Sequence, residues 1–195
     1  MCLKLLRNNM NLFVETSLSD LYICLFTKNF KVVDKIHVPN LAKKTDEFFE
    51  HLDILLQRNK LELSNIKRVY TTLGPGSFNG ARIGFLFART IVQMNNACKL
   101  YVAPTFVLFK IQFLIQGKKL DIKIKANKYS LYDIQFSNQQ VQKSLISNDG
   151  NYDLLNYQLL EKRLRTYLNF FNYVNQSDLL NVELEYLSDP QIGEI

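Results

Sequence analysis

Tryptophan is absent from this chain of 195 residues, and glycine (7), proline (4), cysteine (3) and histidine (2) are scarce. Each shortage excludes something. Cys2, Cys24 and Cys98 are odd in number, scattered, and form no C-x-x-C pair, which argues against a disulfide framework and fits a reducing cytoplasm. His37 and His51 stand fourteen residues apart on different elements, with no Cys/His/carboxylate cluster beside them. Each therefore reads as a surface or helix-face residue, not as a metal ligand. No apolar run approaches the ~18 residues of a membrane span. Lys4 and Arg7 open the chain, but the apolar stretch around them is too short for a signal peptide, and the first nine residues read as a frayed extension. No internal repeat or low-complexity segment is evident.

What is present is globular. Hydrophobic residues make up 47% and charged residues 22%, which excludes wholesale disorder. A chain this long buries roughly 70% of its unfolded surface. The net charge of +6 permits an acidic partner such as RNA without establishing one, because Asn and Lys are abundant throughout. Lys118, Lys119, Lys123, Lys125 and Lys128 form a basic run. In a strand, Lys123 and Lys125 would alternate with Ile122 and Ile124, giving one charged and one apolar face. Such lysines solvate a sheet and guard its edge, or touch nucleic-acid phosphates. Residues 177–195 contain no Lys or Arg, so the tail is acidic and suited to lie over basic surface on this chain or a partner.

Hydrophobic periodicity orders the first half. Residues 11–17 (NLFVETS), 20–27 (DLYICLFT) and 31–38 (KVVDKIHV) read as three strands of a meander. At 41–58 the period becomes helical, with Leu41, Phe48, Leu52, Leu55 and Leu56 recurring and Phe49 beside them. A strand at 66–72, a helix at 79–95, a strand at 99–103 and a helix from Pro104 to about Ile115 complete a βββαβαβα order. The break at Gly117-Lys118-Lys119 suggests a boundary, dividing the chain into 1–116 and 117–195. Beyond it, 120–126 and 129–136 suggest a hairpin and 140–146 a further strand. A long helix is expected over 153–174, capped by Asp153, with Tyr157, Leu160, Leu164, Tyr167, Phe171 and Val174 on one stripe, followed by a last strand at 181–187.

The most informative segment is GPGSFNGARIG, from Gly74, Pro75 and Gly76 through Ser77, Phe78, Gly80 and Arg82 to Gly84. It follows a strand and opens a helix. Ser77 or Asn79 can cap that helix, and Gly80 and Gly84 share a face that permits close approach. A helix start can also hold an anion. No Lys follows Gly80, so this is no Walker loop, and Ser77 lacks the G-x-S-x-G frame of a nucleophile elbow.

The segment closely resembles the GPGSFTGLRIG signature of the TsaB family, matching nine of eleven positions, with Asn79 in place of Thr and Ala81 in place of Leu. Residues 11–17 are similar to the family's opening LALDTS strand, with Glu15 replacing Asp; residues 63–66 resemble its LSLSDLD turn, and Tyr186-Leu187 its PLYLR strand. The likeness is good over about 10–115 and thin beyond, where Lys125-Ala126-Asn127 stands in place of Asp-Ala-Arg.

This resemblance implies an α/β ASKHA (actin/Hsp70-like, RNase H-like) fold, with a mixed five-stranded sheet and helices in the first lobe and a reduced second lobe. TsaB proteins are non-catalytic partners in the bacterial complex that makes threonylcarbamoyladenosine at position 37 of tRNA. The expected partners are therefore a catalytic TsaD-type paralogue and a TsaE-type ATPase subunit, with tRNA reached through the complex, no membrane, and a homodimer when the chain is alone. No cofactor is expected in the isolated chain, and no catalytic or metal-binding residue. The docking helices correspond to 41–58 and 79–95, placing Phe48, Phe49, Leu52, Leu56, Ile83, Phe85, Leu86, Phe87 and Met94 at the interface. Of these, Phe48, Phe49, Leu52, Phe85, Leu86 and Phe87 are expected to be exposed on a free monomer. The alternatives are an ASKHA-type small-molecule kinase using Glu15 and the 74–80 turn, and a small RNA-binding module using the lysine run. A peptidase reading finds no Ser/His/Asp set and no zinc motif.

Overall fold

Strand burial follows directly from sequence in the first third of the chain. The computed structural model describes residues 9–137 and 140–185. β1 (Met10–Glu15) and β2 (Leu21–Thr27) are nearly continuous apolar runs, buried on both faces. β3 (Val32–Val38) alternates apolar and polar residues and forms an edge. The three pair antiparallel through short turns. α1 (Lys44–Arg58) then turns Phe48, Leu52, Leu55 and Leu56 toward the sheet. β4 (Ile66–Thr72), α2 (Phe78–Met94), β5 (Lys99–Ala103) and α3 (Phe106–Gln116) follow. β4 lies parallel to β1 and β5 parallel to β4, as helical crossovers require. α3 stops at Gly117, whose φ of 66° gives the left-handed cap that only glycine adopts at little cost.

A second, three-stranded antiparallel sheet follows: β6 (Asp121–Lys125), β7 (Ser130–Ser137) and β8 (Gln140–Ser147). Ile122 and Ile124 are fully buried while Lys123 and Lys125 stay half-exposed, as the alternation predicts. Two short helices, α4 (Tyr157–Lys162) and α5 (Leu164–Leu168), lead to β9 (Asn172–Val174). β9 pairs antiparallel with β5, so the order is β3-β2-β1-β4-β5-β9, and a sixth strand joins the five expected.

The central sheet separates two cores. Leu12 and Val14 face the core that α1 and α2 cover, and Phe13 faces the core built with α3, α4, α5 and the small sheet. That division explains the main correction. The helix expected over 153–174 is α4, α5 and β9 instead. Tyr157, Leu160, Leu164, Tyr167 and Phe171 lie in the second core but Val174 lies in the first, and one helical stripe cannot reach both sides of a sheet. The cap also moves. Asn156 accepts from Leu159 N at 2.9 Å, while Asp153 is drawn to β6, where it accepts from Lys123 N at 2.8 Å. The last strand expected at 181–187 is not formed over 181–185; Val182 and Leu184 pack on the first core, and Glu185 N donates to Leu73 O at 2.8 Å. Tyr186, Leu187 and residues 1–8 lie outside the described residues.

Candidate functional site

The end of β1 meets the glycine-rich connection between β4 and α2 at backbone-to-backbone distance. A Cβ on Gly76 would lie 2.3 Å from Ser17 O, one on Gly80 2.0 Å from Thr16 O, and one on Gly84 2.3 Å from Thr16 Oγ1. Ser77 N donates to Ser17 O at 2.6 Å, and Thr16 Oγ1 donates to Gly80 O at 2.7 Å. Ser77 Oγ caps α2 by accepting from Gly80 N at 3.3 Å. Arg82 leaves the turn on the solvent side, its guanidinium 4.2 Å from the Phe78 ring centre. The glycines thus serve close packing against Thr16 and Ser17, and the amides of Ser77 and Gly80 are already engaged within the chain.

Glu15 belongs to the same junction and is fully buried. Its Oε1 accepts from Ser17 N (2.7 Å), Ser17 Oγ (2.5 Å) and Leu18 N (3.1 Å), and its Oε2 accepts from Thr72 Oγ1 (2.6 Å). Ser17 Oγ lies 2.8 Å from Thr105 Oγ1. Burial pushes the Glu15 carboxyl pKa up, against hydrogen bonds from Ser17, Thr72 and Leu18 that pull it down. The network ties β1 to β4 and to the residue before α3. Both carboxylate oxygens are engaged within the protein, so the side chain is a structural tie.

α1 and α2 lie side by side on the first core and leave an apolar groove of ≈490 Å³ between them. The nine residues expected at a partner interface divide here. Phe49 (56% exposed), Leu86 (41%) and Met94 (81%) stand open, and Ile83 is half-buried. Phe48, Leu52, Leu56, Phe85 and Phe87 are buried, which corrects the expectation of exposure for Phe48, Leu52, Phe85 and Phe87. The reason is geometric. Phe48 packs edge-on against Phe87 at 5.1 Å under the helices, and Phe49, one residue further round α1, points outward. Leu52 and Phe87 still form the groove floor. Sequence reasoning missed Leu63, in the 3-10 turn after α1, and Ile91. Ile91 was legible, since Ile83, Phe87, Ile91 and Met94 recur at helical spacing on one face.

The histidines are apart and carboxylate-paired: His37 Nε2 lies 2.7 Å from Asp20 and His51 Nε2 3.7 Å from Glu47. Of the basic run, Lys118, Lys125 and Lys128 lie over the rings of Phe113, Tyr152 and Tyr129. In the acidic tail Glu185 forms an ion pair with Lys143 of β8. No helix among the described residues is long and apolar enough to cross a membrane.

Two curated relatives match along nearly the whole chain. The uncharacterized protein MG208 of Mycoplasma genitalium is 30% identical over 183 residues, covering 92% of this chain and 89% of the relative. The uncharacterized MG208 homolog of Mycoplasma pneumoniae is 29% identical over 195 residues, covering 94% and 97%. No protein-family model matches. Among solved structures, YeaZ from Pseudomonas aeruginosa superposes with a TM-score of 0.53 at 14% identity, over 71% of this chain and 67% of that one. An uncharacterized protein with similarity to peptidase YEAZ, also from Pseudomonas aeruginosa, gives 0.50 at 14% identity, over 76% and 71%. The fold is thus TsaB-like and of the ASKHA class.

Proposed function

The chain belongs to the family of the mycoplasma protein MG208 and has a YeaZ-like fold, and from that premise we propose that it is the non-catalytic scaffold subunit of a tRNA threonylcarbamoyladenosine-modification complex. It acts in the cytoplasm, holds a TsaD-type catalytic paralogue through α1 and α2, and meets a TsaE-type ATPase and tRNA in the assembled complex. Without the paralogue, the same helices pair two copies of the chain. Residues 1–116 supply the docking lobe and 117–195 a smaller lobe.

The observation that carries this reading is the apolar groove, with Phe49, Leu86 and Met94 exposed along it. Open apolar clefts of this kind mark interaction sites. Facing helices from a partner would bury them at about 25 cal/mol per Å² before association costs. The kinase alternative gains nothing from the geometry, because Glu15 is buried with both oxygens engaged and the 74–80 turn abuts Thr16 and Ser17.

Co-purification with the TsaD-type subunit tests the proposal. Phe49→Asp and Leu86→Asp should each release the partner while the chain stays folded. Retention of the partner by both variants would remove the interface. Phe48→Asp is a poor probe, since Phe48 is fully buried and the change would disturb folding itself.

A further inference from the structure

A pocket of ≈420 Å³ lies among the β1–β2 turn, the loop entering α1 and the β6–β7 hairpin. Its charged lining is Lys44, Lys125 and Lys128; Ser19, Ser77 and Asn127 are polar neighbours, and among the described residues no carboxylate lines it. Lys44 is the unusual member. It is only 8% exposed, and among the described residues neither a hydrogen bond nor an ion pair engages its ammonium. It is also the first residue of α1, at the positive end of the helix dipole. The stem of Lys44 is buried, while its ammonium opens on the pocket with no counter-charge in contact among the described residues. The carboxylates that attract it are engaged elsewhere: Glu15 by Ser17, Leu18 and Thr72, and Asp20 by His37 Nε2 at 2.7 Å and Asn40 N at 3.0 Å. Burial pulls the Lys44 pKa down, and nearby Lys125 pulls it the same way. An adjoining cleft shares Lys125 and contains Tyr157, whose buried hydroxyl has no hydrogen-bond partner among the described residues.

We propose that this pocket binds a small phosphate-bearing anion, with Lys44, Lys125 and Lys128 as its counter-charges. Three ammonium groups call for more than the single charge of a carboxylate, and a phosphate group carries about −1.5 to −2 at neutral pH. Lysine serves phosphate as a point charge. The recess favours a small molecule over a nucleic-acid backbone, because Lys44 lies within the pocket, whose volume is that of a small-molecule site. This proposal is independent of the scaffold role, since the pocket shares no residue with the α1/α2 groove.

Calorimetry and thermal melts of the full chain with inorganic phosphate and pyrophosphate, at ionic strength fixed with chloride, test it. Pyrophosphate should bind one per chain and raise the melting temperature with concentration. Lys44→Met should melt near the wild-type temperature without ligand, because it keeps the buried stem and removes only an ammonium that no contact holds, and should lose about tenfold or more in pyrophosphate affinity. Lys125→Gln and Lys128→Gln should each weaken binding severalfold, and they keep the test decisive if Lys44→Met fails to fold. The proposal is overturned if neither phosphate nor pyrophosphate binds, or if the folded lysine variants retain wild-type affinity. Binding of a single-stranded oligonucleotide with no response to pyrophosphate would also overturn it, by assigning these lysines to nucleic acid.

Discussion

The two faces of the central sheet start alike and are covered differently. β1 sends Leu12 and Val14 one way and Phe13 the other, all fully buried. On the second face α3, α4, α5 and the small sheet close over the strands, and Phe109, Tyr167, Ile122 and Ile134 have no exposure. On the first face two helices provide the cover, and Phe49, Leu86 and Met94 line an open apolar groove above the core. The apolar residues of α1 and α2 outnumber what the sheet can bury. In the proposed complex, that excess is the layer that the paralogue's helices would cover.

The largest effect is expected in the second core. Phe109→Ala should cost about 3–5 kcal/mol in denaturant unfolding, whereas Phe49→Ala on the open side should cost about 1 kcal/mol or less. Equal losses would mean that the groove is part of the folding core. Next in size, Leu86→Asp should weaken binding to the TsaD-type subunit about 100-fold or more in titration calorimetry, with little change in unfolding.

The Glu15 junction, which joins the strands beneath both faces, should show in pH dependence. Burial raises its folded pKa above the ordinary glutamate value of about 4.5. The folded state therefore holds the proton more tightly than the unfolded one, and the stability from this group is full below about 4.5 and lost as pH rises through the folded pKa. Glu15→Gln should flatten that fall in stability, measured by unfolding across pH 4 to pH 7; an unchanged slope would mean that burial does not govern this carboxyl. The smallest effect belongs to Arg58, at the rim of the open face, whose Nε lies 2.7 Å from Asp34. Arg58→Ala should cost about 1 kcal/mol, because the Arg58 side chain is half-exposed and such ion pairs contribute little.

Much of the first half was legible in sequence because each element carries one period. The strands at 66–72 and 99–103 have the bounds expected, and Gly80 and Gly84 mark the close approach of α2 to Thr16. The second half was harder. The stripe from Tyr157 to Val174 satisfies a helical spacing by coincidence, because β9 crosses the sheet edge and puts Val174 in the other core. At the groove, the resemblance implies docking residues on α1 and α2 but does not say which of Phe48 and Phe49 faces the sheet, since adjacent helical positions differ by about a quarter turn. Lys44 gave no signal at all: a lysine at the start of a helix reads as solvated until folding places it 8% exposed beside Lys125.

Hydrogen–deuterium exchange of the full chain, with and without a saturating TsaD-type subunit, reads out the docking face residue by residue. Docking through the groove should give new protection on α1 and α2, across the helices that carry Phe49, Leu86 and Met94, and unchanged exchange on α3. Protection confined to α3, α4 or the small sheet, with none on α1 and α2, would contradict it.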